Sequence, residues 1–250
     1  MRRSGFNGIL HTNFITNERG TSMEKLIEKS EYLHYINDND TLLVGGFGLS
    51  GTPLTLIDEL ADSSKKGLTI VSNNLGEAGK GLGKLLLSKN IKKAKGSYFT
   101  SNRDAVKAWS DGELEIELIP QGTLAEAVRC GGAGIGGFYT KTAVGTKLAE
   151  GKDVKVIDGE TYILEKAIKG DVSLIKAMKA DTLGNLIYDH TGRNFNAVMA
   201  TAGKIVIAEV DEIVEAGSFS PQEVETPHVY VDYIVMNKYV KKGGKYVEHS

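Results

Sequence analysis

Apolar residues fall along this chain in two alternating kinds of pattern. Thr41 to Val44, Leu68 to Ser72 and Val172 to Ile175 are short β-branched and leucine-rich runs, the mark of strands buried on both faces. Leu114, Ile116 and Leu118 alternate with Glu113, Glu115 and Glu117, the period of a strand with one buried and one hydrated face. Ile205 to Val210 and Val229 to Val235 read as further strands, and Val154 to Leu164 as a hairpin closed by Asp158-Gly159. Between the strands the spacing becomes helical. Leu56, Ile57, Leu60 and Ala61 share one face, as do Leu124, Ala127 and Val128, and Leu26, Ile27, Leu33 and Ile36 set the same rhythm after Met23. Leu82 to Leu87 open a helix whose far end collects Lys89, Lys92, Lys93 and Lys95, where cations complement the dipole. The alternation predicts an α/β fold, a mainly parallel sheet flanked by helices.

One stretch concentrates the chemistry. Asp40 to Pro53, DTLLVGGFGLSGTP, passes from strand to glycine loop to helix, with Thr52 as candidate N-cap and Pro53 at the first helical position. Gly45, Gly46, Gly48 and Gly51 remove the β-carbons that would hold a ligand off the backbone, and the amides before Pro53 can face an anion or oxyanion. Tight strand–helix packing alone is the competing explanation for these glycines. No Gly-Lys-Ser/Thr ending makes this a phosphate loop, and the GxGxxG match lacks an acidic ribose partner. Two other strand ends add to it: Asn73 with Asn74, and Gln121 with Gly122. In a parallel sheet these ends share one edge, where ligands of open α/β sheets bind, and uncharged amides suit an oxyanion. A second glycine-rich stretch, Gly131 to Thr140, reads as a loop that either covers a ligand or crosses the structure.

Composition narrows the function by exclusion. Over 250 residues, 30 basic against 32 acidic side chains leave no excess charge to attract nucleic acid or an anionic membrane surface. No apolar segment is long enough to span a bilayer. The single cysteine, Cys130, permits no intrachain disulfide and no multi-cysteine metal site, and its place on a helix reads as a small buried hydrophobe in a reducing, cytoplasmic setting. Residues 1–22 are polar and without periodicity; they read as an expression leader or a mis-assigned start upstream of Met23, with a mitochondrial-type leader as the alternative. No linker divides residues 23–240, and residues 241–250 read as a flexible, lysine-rich tail.

NDTLLVGGFGLSGTP, SNN at Ser72 to Asn74, GELEIELIPQGTLAEAVRCGGAGIGGF, and KADTLGNLIY followed by GRNFN occur in that order, and over about Glu24 to Val235 the chain resembles the alpha subunit of the family I CoA-transferases. The resemblance implies that family's α/β fold and a reaction that moves coenzyme A from an acyl-CoA to a carboxylic acid. It implies coenzyme A as co-substrate, no permanently bound cofactor and no metal. It also implies a separate beta subunit, because the family's nucleophilic glutamate lies in a SENG motif that this chain lacks. By position, Gly45, Gly46, Phe47, Gly48, Leu49, Ser50 and Gly51 match the CoA-binding loop, while Asn73, Asn74 and Gln121 match residues lining the acyl site. GGFGL and SNN lean toward succinyl-CoA and acetoacetate, with acetate or butyrate transfer as the near alternative. Ser50, Leu54 and Thr100 to Asn102 depart from the family pattern and bear on acyl specificity. A non-catalytic effector-binding module of the same fold is the reading from a different class.

Overall fold

A computed structural model describes residues 25–242 and 245–248 of the chain; the expected leader, residues 1–22, lies outside the described residues. Four parallel strands, β1 (Thr41–Val44), β2 (Leu68–Val71), β3 (Ile91–Gly96) and β4 (Glu115–Leu118), lead off the chain and alternate with three helices, α1 (Leu54–Ala61), α2 (Leu82–Leu87) and α3 (Arg103–Ser110). A longer helix, α4 (Gln121–Gly132), follows β4 and delivers the chain to a small antiparallel sheet of β5 (Gly137–Thr140), β6 (Val154–Ile157) and β7 (Glu160–Lys166). The chain then re-enters the main sheet as β8 (Gly170–Asp181), adds the short antiparallel β9 (Leu186–Ile187), and continues through α5 (Asn196–Met199), β10 (Gly203–Val214) and β11 (Tyr233–Met236). An antiparallel hairpin of β12 (Tyr239–Lys242) and β13 (Lys245–Glu248) follows, starting just before the expected tail of residues 241–250 and running into it.

The main sheet runs β11-β10-β8-β1-β2-β3-β4, so the winding direction reverses between β1 and β8, and the glycine loop leaves β1 at that reversal. Each strand sends alternate side chains into one of two cores. Leu42 and Val44 pack with Leu56, Ile57 and Leu85 under α1 and α2, whereas Leu43 packs with Leu124, Val128 and Met199 under α4 and α5. The predicted parallel α/β architecture and the Asp158-Gly159 hairpin are both present, the latter with φ of 51° and 79° at its two turn residues.

Several elements differ from the sequence pattern, each for a tertiary reason. Leu26 and Ile27 do not start a helix: they run beside β11, where the Ile27 N–H donates to the Ile234 carbonyl at 3.0 Å. A 3-10 turn over Glu31–Tyr35 then takes Tyr32 into the core, where its hydroxyl donates to the Leu56 carbonyl. The lysines after α2 cap no helix. Lys93 and Lys95 belong to β3 and pair across the strands with Glu115 at 2.5 Å and Glu117 at 3.1 Å. Burial pushes the Glu117 carboxyl up, but hydrogen bonds from Lys93 and Lys95 outweigh it and hold it below its ordinary value. Glu115 and Glu117 are therefore partners of a lysine strand, Glu113 faces Lys89 just before it at 4.0 Å, and Leu118 is 48% exposed on β4, the outermost strand of the sheet. Gly131 and Gly132 are not loop but the end of α4, where a β-carbon on Gly131 would stand 1.9 Å from the Ile168 carbonyl oxygen. Cys130 is buried as expected, and burial pushes its thiol up, away from nucleophilic use.

Leu43 sits in the centre of the sheet with 0% exposure, paired to both β2 and β8. Leu43→Ala is expected to cost about 2–5 kcal/mol by leaving a cavity, read as a lower midpoint at unchanged slope in urea unfolding.

Candidate functional site

The carboxyl ends of β1, β2 and β3 and the start of α4 converge on one cleft of about 470 Å³, whose wall holds Phe47, Gly48, Asn73, Asn74, Ser97 and Gln121. Three separate chain segments that the sequence marks as candidates thus meet at one place. Asn73 and Asn74 are nearly buried, at 2% and 8% exposure, and each is oriented by its neighbours. The Asn73 side-chain amide donates to Ser97 Oγ at 2.9 Å, and that hydroxyl returns a bond to the Asn73 carbonyl at 3.1 Å. Asn74 Nδ2 donates to Asn73 Oδ1 at 3.2 Å, while Asn74 Oδ1 accepts from the Gly76 N–H at 2.8 Å. Each amide nitrogen carries two hydrogens and uses one here, so each retains a donor. Gln121 is the first residue of α4, exposed, and its side chain makes no hydrogen bond among the described residues. The cleft therefore joins two locked amides to a movable one.

The glycine loop is held by a segment far away in sequence. The Gly46 N–H donates to Asn194 Oδ1 at 3.1 Å, and Asn194 Nδ2 donates to the Ser50 carbonyl at 3.1 Å. Asn196 Nδ2 donates to the carbonyls of Gly51 and Gly192, both at 2.8 Å, while its Oδ1 accepts from the Lys176 N–H at 2.9 Å. Phe47 and Ser50 exchange backbone bonds at 2.9 and 3.1 Å, folding the loop into a tight turn. Some amides before Pro53 are thus engaged by the protein itself. Those of Gly48, Leu49, Gly51 and Thr52 make no hydrogen bond among the described residues.

Close approach explains most of the glycines. A β-carbon on Gly45 would lie 1.8 Å from Asn196 Oδ1, and one on Gly51 would lie 2.4 Å from the Gly192 carbonyl oxygen. Gly48 differs: at φ +63° it has nothing within 4 Å of its β-position, which opens toward the cleft. Thr52 is not the N-cap of α1. Its hydroxyl donates to the Gly48 carbonyl at 3.1 Å, Pro53 occupies the cap position, and the Glu209 carboxylate accepts from the N–H groups of Thr55 and Leu56.

Sequence reasoning passed over Ser97 and Tyr98, which also line the cleft, because β3 itself was hidden in a lysine-rich run; Ser101, within the stretch expected to bear on acyl specificity, lines it too. Asn102 closes the picture on that side. It caps α3 by accepting from the Asp104 N–H at 3.1 Å and donates to the Leu75 carbonyl at 2.8 Å. A second cleft of about 470 Å³ lies on the other flank of the loop, with Ser50, Gly51, Lys176, His190 and Asp211 in its wall. A larger one, about 730 Å³, lies between β4 and the antiparallel sheet, away from the strand-end amides. Among the described residues no group of three or more His, Cys, Asp or Glu could hold a metal ion, and no helix is long and apolar enough to cross a membrane.

Residues 28–237 match the family model for coenzyme A transferase. The chain is 54% identical over 215 residues to a Bacillus subtilis (strain 168) protein named as one of the subunits of a probable succinyl-CoA:3-ketoacid coenzyme A transferase, covering 86% of this chain and 90% of that one. It is 39% identical over 214 residues to the alpha chain of the acetate CoA-transferase of Escherichia coli (strain K12), covering 86% and 97%. Its fold resembles a crystal structure of an acyl-CoA transferase from E. coli O157:H7 in a thioester complex with CoA, with a TM-score of 0.79 at 22% identity. The match covers 89% of this chain, which spans only about half (51%) of that longer protein.

Gly48→Ala and Gly51→Ala both place an alanine at positive φ, a strain of about 1–2 kcal/mol. Gly51→Ala should destabilise by about 1–3 kcal/mol more, because its β-carbon collides with the Gly192 backbone. Thermal unfolding of the two variants side by side reads the difference; equal losses would remove the buttressing role assigned to the Asn194–Asn196 segment.

Proposed function

The chain belongs to the coenzyme A transferase family, and we propose that it is the alpha-type half of a two-chain enzyme moving coenzyme A from succinyl-CoA to acetoacetate. The observation that carries this reading is the meeting of Asn73, Asn74, Gln121 and the Phe47–Gly48 backbone in one cleft. The 54% identical relative bears a succinyl-CoA:3-ketoacid name and the 39% identical one an acetate name, which favours the succinyl pair. Coenzyme A acts as co-substrate, and no permanently bound cofactor or metal is required. The enzyme works in the cytoplasm, with two chains of each kind, and takes neither nucleic acid nor membrane as partner.

The chemistry follows from a nucleophile that this chain does not supply. In the family pattern the beta chain's glutamate carboxylate attacks the thioester carbonyl, the tetrahedral oxyanion collapses, and coenzyme A leaves as thiolate, giving a mixed anhydride. The thiolate then attacks the glutamyl carbonyl and expels the first acid as its carboxylate, leaving a glutamyl thioester. The acceptor acid reverses both steps. A carboxylate is a weak nucleophile, so the rate depends on stabilising each oxyanion and on binding energy from the distant part of coenzyme A.

The alpha chain contributes to that requirement. The spare hydrogens of Asn73 and Asn74 are preorganised donors whose neighbours already fix them, so they reorient little as charge develops. Gln121, exposed and unbonded, closes on the acyl carboxylate or the oxyanion. Gly48 lets the backbone of Gly45 to Gly51 approach coenzyme A where any side chain would intrude. Uncharged donors are suited to this exchange, since a fixed cation would hold one carboxylate in the ground state and slow its departure.

In the complex assembled with its beta chain, Gln121→Ala is expected to lower turnover by roughly tenfold or more with assembly unchanged, as loss of a donor at developing charge does. Steady-state kinetics and size-exclusion chromatography of the variant complex check both halves; unaltered turnover would make this chain scaffold.

A further inference from the structure

Glu209 lies outside the cleft and has no part in the transfer chemistry, yet it holds the element that follows the glycine loop. It stands on β10 opposite Lys176 of β8, two residues beyond Ile207, and so faces the core under α1. Its side chain is 1% exposed. One oxygen, Oε2, accepts from the Thr55 N–H at 2.8 Å and the Leu56 N–H at 3.2 Å, the first-turn donors that no side chain of α1 itself caps. The other, Oε1, has no hydrogen-bond partner among the described residues and lies 3.8 Å from Lys176 Nζ.

The arrangement reaches the loop by two routes. Thr52 and Pro53 join Gly51 to the first turn of α1 directly. Lys176 gives its side chain to Glu209 and Asp211, while its backbone N–H donates to Asn196, which in turn holds Gly51. A buried carboxylate with one oxygen unbonded is costly unless its charge is compensated, and here a helix N-terminus and one lysine compensate it.

We propose that Glu209 is a positioning residue for the glycine loop: its carboxylate, clamped between the first turn of α1 and Lys176, sets where Gly45 to Gly51 stand over the cleft. The proposal rests on the reading of that loop as active-site backbone. Desolvation pushes the Glu209 carboxyl up to about 7, with Lys176 and the Leu56 and Thr55 amides pulling it down and Asp211 adding to the rise. The remaining charged or titratable groups nearby are Tyr32, whose hydroxyl donates to the Leu56 carbonyl, and Asp58 on α1, held by Lys84, Lys238 and Tyr239. Ionised Glu209 binds the Thr55 and Leu56 amides more strongly than the neutral acid does and draws Lys176 toward Oε1. Turnover therefore rises as pH passes upward through about 7. Stability changes in the opposite sense: with its folded value raised above the ordinary 4.5, the group favours the fold most below that pH and loses the contribution as pH rises through about 7.

The test is the pH profile of kcat in the assembled complex. Glu209→Gln keeps an oxygen for the two amides but carries no charge; it should lower kcat about tenfold at nearly unchanged KM and abolish the inflection near neutrality. Lys176→Gln removes the cation that favours the ionised form and should move the inflection to higher pH. A Glu209→Gln profile that still inflects near 7, or a Lys176→Gln profile that stays in place, overturns the proposal. A cap with a purely structural role would lower the unfolding midpoint of Glu209→Gln and leave the kcat profile intact, which is also a refutation. Gln121→Ala assayed alongside separates the two ideas: slow Gln121→Ala beside an unmoved Glu209→Gln profile sinks this proposal alone.

Discussion

A turn that leaves a parallel strand at the reversal of a sheet must find partners for its backbone groups, and here asparagine side chains provide them. Asn194 and Asn196 bond Gly46, Ser50 and Gly51, and Asn196 also takes the Lys176 N–H of β8. The crevice between β1 and β8, where open α/β sheets ordinarily admit a ligand, is therefore occupied by the chain's own Gly192–Asn196 segment. Open space remains on both flanks of the loop, and the strand-end amides gather on the flank over β1, β2 and β3. Glycine at positions 45 and 51 follows from that plug, since a side chain at either would strike it.

Charge is distributed so that the cleft stays neutral in its nearest donors. Lysines and glutamates pair along the β3–β4 edge, and Lys176 answers Glu209 and Asp211 behind the loop. The donors beside the loop are the amides of Asn73, Asn74 and Gln121 and the hydroxyl of Ser97, while Tyr98, Ser101 and Glu77, whose carboxylate pairs with Lys80, complete the wall. A transfer between carboxylates passes through several anionic species of similar charge, and donors that stabilise all of them modestly serve it better than a cation that traps one. The buried Glu209 carboxylate sits one layer further out, where it acts on geometry through α1.

Much of this was legible in the chain. Continuous apolar runs at Thr41 to Val44 and Val172 to Ile175 mark strands buried on both faces because helices cover both sides of a parallel sheet. Asp158-Gly159 marks its turn because both residues need positive φ. The meeting of Asn73, Asn74 and Gln121 also followed, since parallel strands deliver their carboxyl ends to one edge. β3 was hidden, because its lysines are neutralised by glutamates on the next strand and a local pattern carries no record of that partner.

The sequence by itself determined the alternation of strands and helices, the strand ends that carry amides, and the family to which the chain belongs. These depend on local spacing and on short motifs. Only the tertiary structure decided which groups those motifs meet: that Asn194 and Asn196 brace the glycine loop, that Thr52 turns back to Gly48 while Glu209 caps α1, and that Leu26 joins a sheet edge in place of a helix. Each of those is a hydrogen bond or bridge between residues brought together by the fold, whose energy comes from satisfying buried backbone donors and acceptors. A pattern confined to neighbouring residues has no way to specify such partners.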